Sequence, residues 1–173
     1  MEWKTDKHWR YETFPLDEPV GTFGEFSSLI DLWRSKREDG FPAPQWSAFE
    51  LSDLTEWWGW MHIYDAVDRN EASFRVRLWG TRLLETLGYD PSGQILHAKD
   101  GAEASDAKRI TRNDLIFARY LLDNSLFGRG AGPIDLRFGE AVSYTEIMMP
   151  LSNSEGELDK LLYACRVHED YAI

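Results

Sequence analysis

Between Phe74 and Gly93 the sequence changes period once, and this constrains the fold more than any other stretch. Phe74, Val76 and Leu78 alternate with Arg75 and Arg77, the period-two pattern of a strand with one buried face. Gly80 then turns the chain, Thr81 is placed to cap a helix, Leu83, Leu84 and Leu87 give that helix one apolar side, and Gly88 stops it. Strand, short helix and turn in this order form the centre of a small α+β domain.

The flanking segments extend this reading. Residues 1–21 form an arm that mixes charges with Trp3, Trp9, Tyr11 and Phe14 and fits neither a helical nor a strand period. Packing of its aromatics onto the domain that follows is the simpler expectation. A helix is expected over about 22–39: Thr22 and Glu25 read as a capping box, Phe26, Leu29, Ile30 and Trp33 make one stripe, and Gly40 supplies the stop. Pro42 and Pro44 then hold the chain extended. A strand is read from Trp58 to Val67, joined by a turn at Asp68-Arg69-Asn70-Glu71 to the Phe74 strand. Asp100 and Glu103 mark the start of a longer helix to about Asn124, with Ala107, Ile110, Phe117 and Leu121 as its stripe and Asp114 interrupting it. Three strands follow, at about Pro133–Phe138, Ser143–Leu151 and Leu161–Glu169. Two strands, a helical middle and three strands do not fit βαβ winding. They fit one five-stranded antiparallel sheet with its helices on one face and an extra N-terminal helix.

Composition narrows the partners. A chain of 173 residues with 43% hydrophobic residues and 8 Trp is long enough for one domain with a real core. A formal net charge of −11 argues against nucleic acid and anionic membranes, which need clustered Lys and Arg. One cysteine, Cys165, excludes an internal disulfide, and the four histidines share no metal-ligand spacing. No apolar run approaches the ~20 residues of a membrane span, and no signal peptide is read. The expectation is a cytoplasmic protein with no metal and no cofactor.

Four short motifs resemble a divergent PAS-type family of short bacterial proteins with mostly unassigned function: Leu32-Trp33-Arg34-Ser35 with Phe41-Pro42, Phe74 through Thr81, Leu87 through Gly93, and Met149-Pro150-Leu151-Ser152. The likeness spans about residues 24–168 of a single PAS-like domain at 22–173. It implies a PAS-like fold and a non-catalytic sensory or interaction module that binds a small molecule or a signalling protein. It also implies a pocket between the sheet and its helices, with Ile63, Val76, Leu78, Leu83, Phe117, Leu121, Ile147 and Met149 as lining candidates; simple core filling is the plainer role for most of them. Dimer contacts common in such domains point to a homodimer through the arm and the stripe of Phe26, Leu29, Ile30 and Trp33.

Glu146 is the most informative carboxylate. It shares a strand face with Tyr144 and Met148, while Thr145, Ile147 and Met149 share the other. If the second face meets the core, Glu146 is merely solvated; if buried, it is a ligand-binding or proton-handling group with a raised pKa. His97 lies where haem-binding relatives place a ligand, but a surface or capping role is simpler. Cys165 reads as a buried, inert thiol rather than a photochemical one. The main rival function is a small cone-shaped α+β enzyme of cyclase, dehydratase or isomerase type, with Glu146 and His62 as acid and base. A ligand-free structural adaptor is the third.

Overall fold

The computed structural model describes residues 1–6, 8–99, 110–135 and 141–168. Its centre is one antiparallel sheet. In chain order the strands are β1 (Glu2–Asp6), β2 (Trp9–Pro15), β3 (Met61–Asp68), β4 (Ser73–Trp79), β5 (Ile95–His97), β6 (Leu126–Asp135), β7 (Ala141–Ser152) and β8 (Leu158–His168). Their spatial order is β1-β2-β6-β7-β8-β3-β4-β5. The five strands expected from the sequence are therefore adjacent, as β6-β7-β8-β3-β4, with the helical segment between the first pair and the last three; β6 starts at Leu126 rather than Pro133, and 136–138 of the expected strand lie outside the described residues. This is the PAS-like α+β arrangement, widened at each end. The added strands are β5 at one edge and, at the other, a hairpin made by the arm, where Arg10 to Pro15 pair with Leu126 to Ala131.

The arm thus departs from expectation by forming strands. Its aromatics alternate across β2 and so serve two layers: Tyr11 lies over α3 (Arg112–Asn124), 5.1 Å from Phe117, whereas Phe14 meets Phe23 on the opposite face.

The N-terminal helix is shorter than expected and starts later. Residues Val20–Phe26 form 3-10 turns broken at Gly24, whose φ of 55° L side chains rarely adopt, and α1 spans only Ser27–Ser35. Thr22 does not cap it; its hydroxyl donates to Glu18 Oε1 at 3.0 Å. The stripe is nevertheless intact. Phe26, Leu29, Ile30 and Trp33 are each no more than 1% exposed. They meet the face of the sheet opposite α3, where the Trp33 ring lies 4.8 Å from Phe127 and its Nε1–H donates to Pro150 O at 2.8 Å. The helix covers its own sheet, which corrects the expectation that these four side chains meet a second copy.

The other face holds α2 (Thr81–Leu87), ended by Gly88 with φ 80°, and α3. Thr111 and Asp114 form the capping box of α3; the expected start at Asp100 and Glu103, and Ala107 of the stripe, lie outside the described residues. The helix sits so close to β6 that a Cβ on Gly128 would lie 2.4 Å from Leu121 Cδ1 and 2.9 Å from Phe117 Cε1. The molecule is three layers deep, and its central strands have no solvent face. Ahead of β3, Trp57 is buried and Trp58 is 48% exposed.

Burying each stripe side chain contributes on the order of 1.5–3 kcal/mol. Leu29→Asp or Trp33→Asp is therefore expected to unfold the chain rather than release a folded monomer. Circular dichroism and sedimentation check this; a folded, soluble Asp variant would show that the stripe is not part of the core.

Candidate functional site

β7 places Tyr144, Glu146 and Met148 on the face toward α2 and α3, because side chains alternate along a strand. Register assembles the rest. Cys165 on β8 lies opposite Glu146, Tyr163 opposite Met148, and His62 on β3 opposite Tyr163. On the other side Gly130 of β6 faces Glu146; a Cβ there would come within 3.1 Å of Oε1, so this glycine leaves room for the carboxyl. Glu146 is only 7% exposed and His62 3%.

Asp114 enters from the first turn of α3. The capping box fixes it: the Thr111 N–H donates to Oδ2 at 2.6 Å, and the Asp114 N–H donates to Thr111 Oγ1 at 3.3 Å. Tyr11 O–H donates to the remaining oxygen, Oδ1, at 2.6 Å. An arm strand and a helix start are thereby tied at one carboxyl.

The groups on the sheet form a connected chain. Tyr144 Oη lies 3.0 Å from Glu146 Oε2 and 2.7 Å from Cys165 Sγ, and Sγ lies 3.9 Å from His62 Nδ1. A phenol has one proton to give. The Tyr144 O–H therefore donates to either Glu146 Oε2 or Cys165 Sγ at one time. The His62 ring is stacked on Tyr163, 4.1 Å between centroids at 18°.

His62, Asp114, Tyr144, Glu146 and Tyr163 line a cavity of about 40 Å³ between the sheet and the helices. A water occupies ~10–15 Å³ on this scale, so the space suits about three waters or a ligand of a few heavy atoms. Sites for drug-sized ligands and cofactors are several hundred Å³. Two polar groups on the wall, Tyr163 Oη and Trp79 Nε1, have no hydrogen-bond partner among the described residues.

Burial governs the ionisation states. It raises the Glu146 carboxyl to about 8; the negative charge of Asp114 adds to the rise, and the Tyr144 hydrogen bond opposes it. Burial likewise raises Asp114, against the hydrogen bonds from Tyr11 and Thr111. It lowers His62 to about 3 and pushes the Cys165 thiol well above its ordinary range. Near neutral pH the site therefore holds a largely protonated acid, a neutral imidazole and an un-ionised thiol.

The sequence-derived candidates are distributed differently from expectation. Glu146 and His62 meet at the cavity. None of the eight apolar candidates is among its lining residues. Ile63, Ile147 and Met149 are fully buried on the face toward α1, the opposite one. Val76, Leu83, Phe117 and Leu121 fill core on the α2 and α3 side, and Leu78 borders a second pocket of about 110 Å³ beside Trp58. The physical reason is that both faces of β7 are covered, so an apolar face no longer marks the pocket. Asp114, Trp9 and Tyr163 complete the site. A carboxylate interrupting the apolar stripe of α3 was the one legible signal among them. Elsewhere, Asp65 pairs with Arg77, Asp68 caps its turn, Lys99 pairs with Glu71, and His97 Nδ1 meets Ser73 Oγ at 2.7 Å.

No protein-family model and no curated protein matches the chain. Solved structures that it resembles include an RNA-binding light-oxygen-voltage receptor, at 13% identity and a TM-score of 0.44 over 63% of this chain and 29% of the receptor. Another is a sensory box histidine kinase/response regulator from Burkholderia thailandensis, at 12% identity and a TM-score of 0.35 over 68% of this chain and 82% of that one. The alignment with the receptor thus spans less than a third of its length. At these scores the likeness adds no argument about function, and strand order alone carries the fold.

The shifts fix a pH signature. Glu146, raised in the folded state, costs stability as pH rises from its ordinary 4.5 to about 8. His62, lowered to about 3, acts the other way between 3 and 6.5, so the two oppose each other below pH 6.5. Above it only Glu146 of this pair remains. Stability is expected to fall by up to about 2 kcal/mol between pH 6.5 and 8, and Glu146→Gln is expected to reduce the fall, any remainder belonging to Asp114, which burial also raises. Urea denaturation across that window checks this; identical slopes in the two proteins would remove Glu146 as the cause.

Proposed function

We propose that this chain is a non-catalytic sensory or interaction module, in which occupancy of the cavity beside Glu146 is communicated to α3 and the sheet. One observation carries the reading: a central strand places a buried, protonatable carboxyl on the wall of a small cavity that also presents polar hydrogens without partners among the described residues. An unpaired buried polar group costs ~1–3 kcal/mol, so such a wall favours an occupant that can answer it. Asp114, at the first turn of α3 and bonded to the arm through Tyr11, is the element through which occupancy moves secondary structure.

The cone-shaped enzyme is the weaker alternative. Glu146 and His62 do share a cavity, but about 40 Å³ does not admit a substrate of ordinary size. The imidazole is stacked against Tyr163 rather than presented to a substrate. A structural adaptor leaves the unpaired polar wall without a purpose. Among the described residues no helix is long and apolar enough to cross a membrane. Self-association, where it occurs, is assigned to surfaces other than the buried stripe, such as the outer edges of β1 and β5 or the exposed Trp58.

The test is a thermal melt and hydrogen exchange of the chain with and without the low-molecular-mass fraction of a cell extract. The expected result is a raised melting temperature and slower exchange in α3 and β7, both weakened by Glu146→Gln, which alters the carboxyl on the cavity wall. No response from the folded wild-type chain would favour the adaptor.

A further inference from the structure

The cavity has a consistent chemical character. Its wall is largely aromatic, with Trp9, Tyr64, Trp79, Tyr89, Tyr144 and Tyr163 all contributing. Its ionisable side chains include two carboxylic acids, Asp114 and Glu146, and among the described residues neither Lys nor Arg lines it. The negative charge of Asp114 opposes ionisation of Glu146. The Tyr163 hydroxyl, on a residue 2% exposed, lines the same space without a partner, and its oxygen lone pairs are free to accept.

We propose that this cavity is a binding site for a small protonated amine, ammonium or a methylated ammonium, held by Glu146 and Asp114 within aromatic walls. The inference rests on the module reading and names its ligand class. Three features select the class. Aromatic rings attract ammonium groups through their quadrupoles, most strongly where water is excluded. A carboxylate pair supplies the missing counter-charge, and Tyr163 Oη accepts an N–H. A space of about 40 Å³ limits the ligand to a few heavy atoms. Trp79 Nε1–H, a donor only, is answered by a water bound with the amine. The chain's net charge of −11 raises the local concentration of any cation.

Binding is linked to protons. The ionisable groups around Glu146 are Tyr144 on its own strand, Cys165 and Tyr163 on β8, His62 and Tyr64 on β3, Tyr11 on β2 and Asp114 on α3. Of these, Glu146 is the group that titrates near pH 8. The amine binds the ionised carboxylate, so binding releases a proton below that pH, and affinity rises as the solution becomes more alkaline.

The experiment is calorimetric titration of the full chain with ammonium, methylammonium and trimethylammonium chlorides at constant ionic strength, at pH 7 and 8.5. Methanol and tert-butanol serve as neutral comparators. The expected result is saturable binding of at least one cation, severalfold tighter at pH 8.5, with proton release at pH 7 seen as a buffer-dependent heat. Glu146→Gln, which keeps the shape of the side chain, is expected to weaken binding at least tenfold, and Tyr163→Phe to weaken it less. The proton release is read on the wild-type chain and does not depend on either variant folding. Absence of saturable binding by every cation at pH 8.5, equal binding of the neutral comparators, or binding without proton release would overturn the proposal. A chain that responds to the low-mass extract but to none of these amines keeps the module reading and loses the cation.

Discussion

Everything in this molecule follows from covering both faces of β7. Ile147, Met149 and Leu151 face α1 while Tyr144, Glu146 and Met148 face α2 and α3, and all six are buried. A strand enclosed in this way has no solvent side to which a polar residue can be sent. The Trp33 Nε1–H bond to Pro150 O pins the α1 layer directly to this strand. With that layer in place, the carboxyl of Glu146 is committed to the interior and must be neutral, paired or ligated.

The site is the consequence. Tyr144 answers one oxygen of Glu146, and a glycine on the neighbouring strand leaves space beside the other. Asp114 comes close enough to raise Glu146 further, yet its own partners, Tyr11 and Thr111, come from other elements. A proton or a cation at Glu146 therefore alters the electrostatics of a helix start and an arm strand together. Groups buried with shifted ionisation are where proteins place chemistry or switching. The small volume and the stacked imidazole favour switching here.

Much of the architecture was legible in the sequence because it rests on period. The Phe74 strand, its Gly80 turn and the helix closed by Gly88 appear where the pattern placed them, although Gly80 rather than Thr81 is the N-cap and no side chain caps the helix start. The stripe of α1 was equally readable, though not its destination, since burial against one's own sheet and burial against a second copy leave the same pattern. The arm escaped because Trp9, Tyr11 and Phe14 are apolar on both sides of β2, and two-sided burial erases alternation. The same erasure hid the pocket face: Ile147 and Met149 looked like the core face of β7, yet Glu146 faces the cavity. Tyr163 and Asp114 reach the site through register and a helix start, which are long-range facts that a linear pattern does not carry.

The most direct test is the titration of the Glu146 carboxyl itself, followed by its side-chain carboxyl carbon resonance in the folded chain and assigned with Glu146→Gln. A buried acid in this setting is predicted to titrate near pH 8 and to move downward when a cation occupies the cavity. A midpoint near 4.5, the value of a solvated glutamate, would place Glu146 in water and contradict both the enclosed β7 and the site built on it.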